Sequence, residues 1–252
     1  MKNFTTKLKS KNFINFFGII FIFLIWLILS NVYNNSLIVP KIDKVFIAFI
    51  KILGTARVYE LIFKLIINIL LVISISFLIA TTLAVFSYKC EKFYYFISPL
   101  ITVLKTIPIV AIIILLIISL MDLAPYVATC FVIIPIIFEG IFSTLKQIDS
   151  NITDDLRTVT DINLIVILKF FIPLIMPNIL TSLIQSFGLG LKVMVMTEYT
   201  SPRNNTFGAE IRRYYDNNDM ESVYAIVLIV ILLSFVTDKI IKIARKKTLN
   251  EK

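Results

Sequence analysis

Side chains able to do chemistry are sparse in this sequence. It contains no histidine, which removes imidazole both as a metal ligand and as a general base. Cys90 and Cys130 are isolated from one another and from other metal-ligating groups, so neither a disulfide framework nor a metal site is indicated. The six glycines, Gly18, Gly54, Gly140, Gly188, Gly190 and Gly208, build no Gly-x-x-x-x-Gly-Lys-Ser/Thr loop, so the chain has no P-loop of its own for ATP hydrolysis. Asp154, Asp155 and Asp161 are the one acidic cluster. They lie on a stretch that reads as a soluble helix, whereas a membrane-embedded enzyme would gather carboxylates or histidines at a membrane face for acid–base or metal work. What remains is a set of single charges in apolar surroundings: Lys105, Lys192 and Glu198. An ionisable group at membrane depth is costly and marks a path for solute by default. Lys192 and Glu198 are spaced wrongly for a direct pair on one helical face, so each needs a partner elsewhere or water. Lys105 has two readings, facing a pore or reaching back to the cytoplasmic headgroups.

The elements that position these charges are membrane spans. The chain has 252 residues, 58% hydrophobic and 16% charged, and a mean hydropathy of +0.92, far from the usage of soluble domains. Six apolar runs approach or reach the length that crosses a bilayer: Phe16 to Ser30, Leu65 to Phe86, Ile107 to Leu120, Ala124 to Phe142, Pro173 to Thr197 and Val223 to Val236. The expected fold is therefore an all-α integral membrane protein with about six transmembrane helices. The first run follows Lys2, Lys7, Lys9 and Lys11, but Ser30-Asn31-Val32-Tyr33 offers no small-x-small cleavage site, so it reads as a retained span rather than a signal peptide. Lysine and arginine cluster at Lys2 to Lys11, Lys89, Lys92, Lys146, Arg157, Lys169 and the basic tail from about 238 to 252. That bias places both termini in the cytoplasm. The net charge of +9 then reflects the positive-inside pattern and a tail facing anionic lipid, with no nucleic-acid partner required.

Between the spans, Lys41 to Leu53 carries Val45, Phe46, Phe49, Ile50 and Leu53 at helical spacing opposite Lys41, Lys44 and Lys51. It is either an amphipathic helix at the outer interface or a connector packed on the bundle. Lys64 is expected to snorkel to the headgroups. Pro99, Lys105 and Pro108 interrupt the third element, which cannot be one plain helix. Asp122 in the turn Met121 to Pro125 reads as solvated. Glu139, near the inner end of the fourth span, is placed to meet Lys146 or the following loop. Ser182, Gln185, Ser186, Gly188 and Gly190 give the fifth span small and polar residues for close packing or for lining a path.

The charged stretch from Asp154 to Pro177 is the exception to the run of spans. Asn151 or Thr153 can cap a helix whose first turn holds Asp154 and Asp155, where the macrodipole favours negative charge. Leu156, Val159 and Ile162 or Asn163 share a face. The residues alone fit a docking element or a solvated helix lying on the membrane.

The layout of this stretch resembles the cytoplasmic loop of permeases in binding-protein-dependent ABC importers, whose signature runs Glu-Ala-Ala, three residues, Gly, nine residues, Ile-x-Leu-Pro. Aligned on Pro173, the acid is Asp154, with Asp155, Leu156 and Thr160 where the signature has Ala, Ala and Gly, and Arg157 matches the Arg common in related permeases. Further along, "SLIVPKIDKVFIAF", "ISPLITVLKTIPIVAIIILLI" (Pro99, Pro108, Ala111) and "LKVMVMTEYTSPRNNTFGAEI" (Lys192, Glu198, Gly208) resemble the nitrate, sulfonate, taurine and thiamine-precursor class of these permeases. The similarity covers residues 37 to 240.

The resemblance implies a type I ABC importer permease fold, in one transmembrane domain over 1–252 with a cytoplasmic coupling loop from about 143 to 172. It implies no catalytic or metal residue and no cofactor on this chain, with ATP used by a separate cytoplasmic ABC ATPase subunit. The other implied partners are an extracellular or periplasmic solute-binding protein and a second copy of the chain, in a bacterial inner membrane. Asp154, Asp155, Leu156, Arg157, Thr160 and Pro173 would form the ATPase-coupling loop, and Lys105, Pro108, Lys192 and Glu198 would line or gate the translocation path. A secondary transporter or channel working alone is the other expectation, although it would not need a docking helix.

Overall fold

The computed structural model describes residues 2–147, 172–201 and 203–250. All regular structure among them is helical: α1 Lys2–Tyr33, α2 Ile42–Leu53, α3 Ala56–Lys89, α4 Glu91–Thr106, α5 Ile109–Leu120, a 3-10 turn Met121–Leu123, α6 Ala124–Gln147, α7 Ile172–Thr200, α8 Phe207–Asp216 and α9 Met220–Asn250. The coupling-loop candidates Asp154, Asp155, Leu156, Arg157 and Thr160 lie outside the described residues. Pro173 falls in the first turn of α7, a position where a missing N–H costs nothing.

Each of the six apolar runs lands on a helix: α1, α3, α5, α6, α7 and α9. Among the described residues, Ala56–Lys89, Ile109–Gln147, Ile175–Thr200 and Met220–Ile240 are long and apolar enough to cross a membrane, and Ile20–Tyr33 is a shorter apolar helix. The stretch Ile109–Gln147 is two arms. Met121, at φ 44°, breaks it, and α5 folds back so that Ile109, Leu116 and Ile117 pack with Ala128 and Val132 of α6 around Ile113. At 12 residues, α5 alone is only about 18 Å long. The interruption expected from Pro99 and Pro108 falls at Ile107 and Pro108, both extended, whereas α4 continues through Pro99.

The chain packs as two compact units, the first comprising Met1–Tyr59 with Ile211–Val230 and the second Glu60–Glu210 with Ile231–Lys252. In the first, the Trp26 indole N–H donates to the Pro40 carbonyl at 3.1 Å, and its ring meets Tyr224 at 5.8 Å. The Tyr224 hydroxyl donates to the Ile38 carbonyl at 3.4 Å, and Lys44 pairs with Glu221 at 3.2 Å. The polar break from 34 to 40 is thus fastened at its second end, through Ile38 and Pro40. Helix α2 presents Val45 and Ile52 to protein while Phe46, Ile47 and Ile50 stay exposed. One of its faces is packed and another apolar face points outward.

The core of the second unit is built from Leu65, Ile69 and Val72 of α3, Ile133, Ile137 and Ile141 of α6, and Leu191 and Met194 of α7. Small residues set its closest approaches, as their distribution along the fifth span suggested. A Cβ on Gly190 would come within 2.7 Å of the Ile133 Cδ1 and 3.1 Å of the Ile69 Cδ1, and one on Gly140 would come within 2.9 Å of the Ser182 Cβ. Asn178 donates to the Thr144 hydroxyl at 2.9 Å, joining α6 and α7 near the two ends of segment 148–171. Lys64 pairs with Glu60 one turn away at 2.5 Å.

Candidate functional site

Helix α7 has one face open along its length. Asn178, Gln185, Leu189, Lys192, Met196 and Thr200 are its exposed residues from 175 onward, and their spacing puts all of them on one side of the helix. The opposite side, with Leu191, Val193 and Met194, is buried. Packing of the apolar side against α3, α5 and α6 therefore forces Lys192 outward in the middle of a span. No partner for Lys192 is found among the described residues. A lone ammonium at that depth requires water or a counter-charge.

Toward the end of the bundle bearing segment 148–171, this open face meets a cavity of about 480 Å³ among α4, α6 and α7. Its polar lining is Ser98 and Thr102 of α4, Glu139 and Ser143 of α6, and Ser182 and Gln185 of α7. Gln185 belongs to both the cavity and the open face, two turns or about 10 Å along α7 from Lys192. Cavity and lysine share this face of α7, with the exposed Leu189 between them.

Lys105 sits in the last turn of α4. Its ammonium binds the Glu139 carboxylate at 2.6 Å, at the edge of that cavity. The sequence offered Glu139 either Lys146 or the following loop; the loop lies outside the described residues, and two helical turns, about 10 Å, separate Glu139 from Lys146 along α6. Lys146 instead lies 4.8 Å over the Tyr94 ring and 4.9 Å over the Phe142 ring, a cation–π contact with two stacked aromatics. Pro108 marks the break between α4 and α5, its carbonyl accepting the Ala111 N–H at 3.0 Å.

Glu198 is 2% exposed and faces protein. Its carboxylate accepts the Gly208 N–H at 3.1 Å, in the first turn of α8, while the Thr206 hydroxyl accepts the Ala209 N–H at 3.2 Å. Two of the free donors of a helix start are thereby satisfied, and the negative charge meets the positive end of the dipole. Gly208 permits this corner, because a Cβ there would come within 2.6 Å of the Glu198 Cβ and closer still to the Tyr199 and Val195 backbone. Unlike Lys192, Glu198 does not share the open face.

Two participants escaped the sequence. Asp122, read as solvated, is exposed, and it also has its carboxylate 3.6 Å from the Arg203 Nε and its carbonyl accepting from the Arg203 Nη1 at 3.0 Å. Arg203 also lies 5.4 Å from the Tyr126 ring. The turn after α5 is thus fastened to the chain leaving α7, across a sequence separation that no local pattern reports. Among the described residues no group of histidine, cysteine, aspartate and glutamate could hold a metal ion.

The chain matches the model of the binding-protein-dependent transport system inner membrane component family over residues 81–250, more than half its length. It belongs to that family. The permease also resembles two solved structures, both described as inward-facing conformations of the MetNI methionine ABC transporter. The first, a selenomethionine soak crystal form, aligns with a TM-score of 0.66 at 12% identity, covering 76% of the permease and 96% of the solved chain. The second, a native crystal form, aligns with a TM-score of 0.57 at 15% identity, covering 75% and 98%. At such identities the likeness establishes the fold, that of a type I ABC importer permease. A comparison with curated proteins finds no match. The class of importer indicated by the resemblance, with its nitrate, sulfonate, taurine and thiamine-precursor solutes, is finer than these matches reach.

Proposed function

We propose that this inner-membrane ABC importer permease forms the translocation path for a small solute along the open face of α7 and couples that path to a separate cytoplasmic ATPase through Asp154 to Asn163. The observation carrying the path is the isolated Lys192, exposed at mid-span on a face continuous with the Gln185 and Glu139 cavity. Burial in lipid would be costly for it, and a wet path accommodates it. A positive charge there favours a solute carrying an anionic group, in keeping with the sulfonate, nitrate or thiamine-precursor class.

The coupling role rests on the family membership and on the position of the segment between α6 and α7. Those two helices are held together by Gly140 against Ser182 and by Asn178 on Thr144. A push on segment 148–171 would move them as a pair, with Asp154, Asp155, Leu156, Arg157 and Thr160 in a cleft of the ATPase and Pro173 beginning the span that follows. Lys105 and Pro108 belong to the neighbouring broken element that the path must pass, and Glu198 shapes the far corner of α7. Both termini are cytoplasmic in this arrangement, a solute-binding protein delivers cargo on the opposite side, and a second copy of the chain completes the path. The permease carries no catalytic group, and ATP is spent by its partner.

Cysteine scanning of α7 tests the path. In a Cys90→Ser, Cys130→Ser background, cysteines at 185, 189, 192 and 196 are expected to react with a water-soluble maleimide in the assembled transporter. Residues at 191 and 194 are expected to stay unreactive. Uniform protection of all six positions would contradict a wet path along this face.

A further inference from the structure

Helix α4 has few buried side chains. Only Ile97 and Ile101 of its 16 residues are buried, so apolar packing holds it weakly. Both of its ends are non-helical joints: Cys90 at φ −131°, ψ 105°, and Ile107 at φ −64°, ψ 132°, followed by Pro108 at φ −58°, ψ 120°. Pro108 supplies no N–H to continue the helix across the second joint. What ties the rod to α6 is polar and aromatic, and it lies near the two ends. Near one end Lys105 binds Glu139 at 2.6 Å. Near the other, Tyr94 stacks on Phe142 with centroids 4.6 Å apart and an interplanar angle of 14°, and Lys146 caps both rings. Between the two attachments lies the polar cavity of about 480 Å³, which α4 walls with Tyr94, Ser98, Ile101 and Thr102.

From this arrangement we infer that α4 is a hinged gate over the cavity, swinging on the Cys90 and Ile107–Pro108 joints, with Lys105–Glu139 and Tyr94–Phe142–Lys146 as its two latches. Apolar side chains packed in a core do not release and re-form without exposing their area. An ion pair at a wet cavity can exchange its partner for water at small cost, as a part that must open in each cycle requires. The placement of Lys146 links the gate to the coupling segment, because it is the second-last residue of α6 and α6 leads directly into segment 148–171. Movement of that segment would shift Lys146 and release Tyr94 first. This role rests on the permease reading above, but the gate is a property of the chain itself and is measurable without an ATPase.

The test is the labelling rate of Ser98→Cys, facing the cavity, in the Cys90→Ser, Cys130→Ser background, with the purified full chain in lipid nanodiscs and a charged maleimide as probe. Glu139→Gln or Lys105→Met is expected to raise the rate about fivefold, the shift that loss of an exposed ion pair near the upper end of its usual worth produces. The exchanged pair Lys105→Glu with Glu139→Lys is expected to restore the parent rate. Tyr94→Leu is expected to raise it similarly, and Tyr94→Phe, which keeps the stack, to leave it unchanged. Single variants that label at the parent rate, or an exchanged pair as fast as the singles, would overturn the latch. Because no ATPase enters this assay, either result leaves the permease reading to be judged by its own co-purification experiment.

Discussion

Gly140 of α6 lies against Ser182 of α7 so closely that a Cβ at residue 140 would stand 2.9 Å from the Ser182 Cβ and nearer still to its hydroxyl. The two helices leading into and out of segment 148–171 are therefore in contact through backbone and a single small side chain. Gly140→Ala is expected to destabilise the chain by about 1–3 kcal/mol, the usual cost of overpacking a fitted contact. Ser182→Gly in the same chain removes the obstructing atoms and is expected to recover most of that loss. Thermal unfolding of the four members of this cycle in detergent measures the coupling, and simply additive effects would show that the contact does not set the helix spacing.

The Glu198 cap on α8 gives a second contrast. Glu198→Ala leaves the Gly208 N–H buried without its acceptor, at about 1–3 kcal/mol. Glu198→Gln keeps an acceptor and loses only the charge facing the helix start, about 0.3–1 kcal/mol in ordinary settings. The expected order of melting temperature is parent, Gln, then Ala. Equal values for all three would return Glu198 to the list of path residues without a structural role.

The spans were legible because hydropathy at this strength has few other outlets: all six apolar runs became helices, and the break near Pro108 appeared within one residue of the expected place. Contacts between elements were less visible. Glu139 was offered Lys146 on its own helix, yet the structure gives it Lys105 from α4, since sequence spacing cannot show which neighbouring helix faces a side chain. Asp122 is exposed as expected, but its partner Arg203, arriving from beyond α7, was hidden for the same reason. Lys192 and Glu198 looked alike as charges of one span. Six residues of helical rotation put one on the open face and the other on the packed face, which periodicity could separate only once the buried side was known.

Lys192→Ala is expected to lower solute uptake sharply while leaving membrane insertion and ATPase binding intact. Uptake into proteoliposomes alongside pull-down of the ATPase separates these effects. Loss of ATPase binding in this variant would mean that Lys192 holds the bundle together and does not face the path.

Replacing Asp154 and Arg157 together, as Asp154→Asn with Arg157→Ala, is expected to abolish uptake with normal amounts of chain in the membrane. A variant that still transports at the parent rate would refute the coupling role of this segment.

The central claim, a permease subunit working with an ATPase and a solute-binding protein, is tested most directly by purifying the tagged chain from its native membranes in mild detergent and identifying by mass spectrometry whatever co-elutes. Co-elution of an ABC ATPase and, after crosslinking, of a solute-binding protein is the predicted result, and the ligand of that binding protein would name the cargo. Recovery of this chain alone, with and without crosslinking, would contradict the claim and point to a transporter that works by itself.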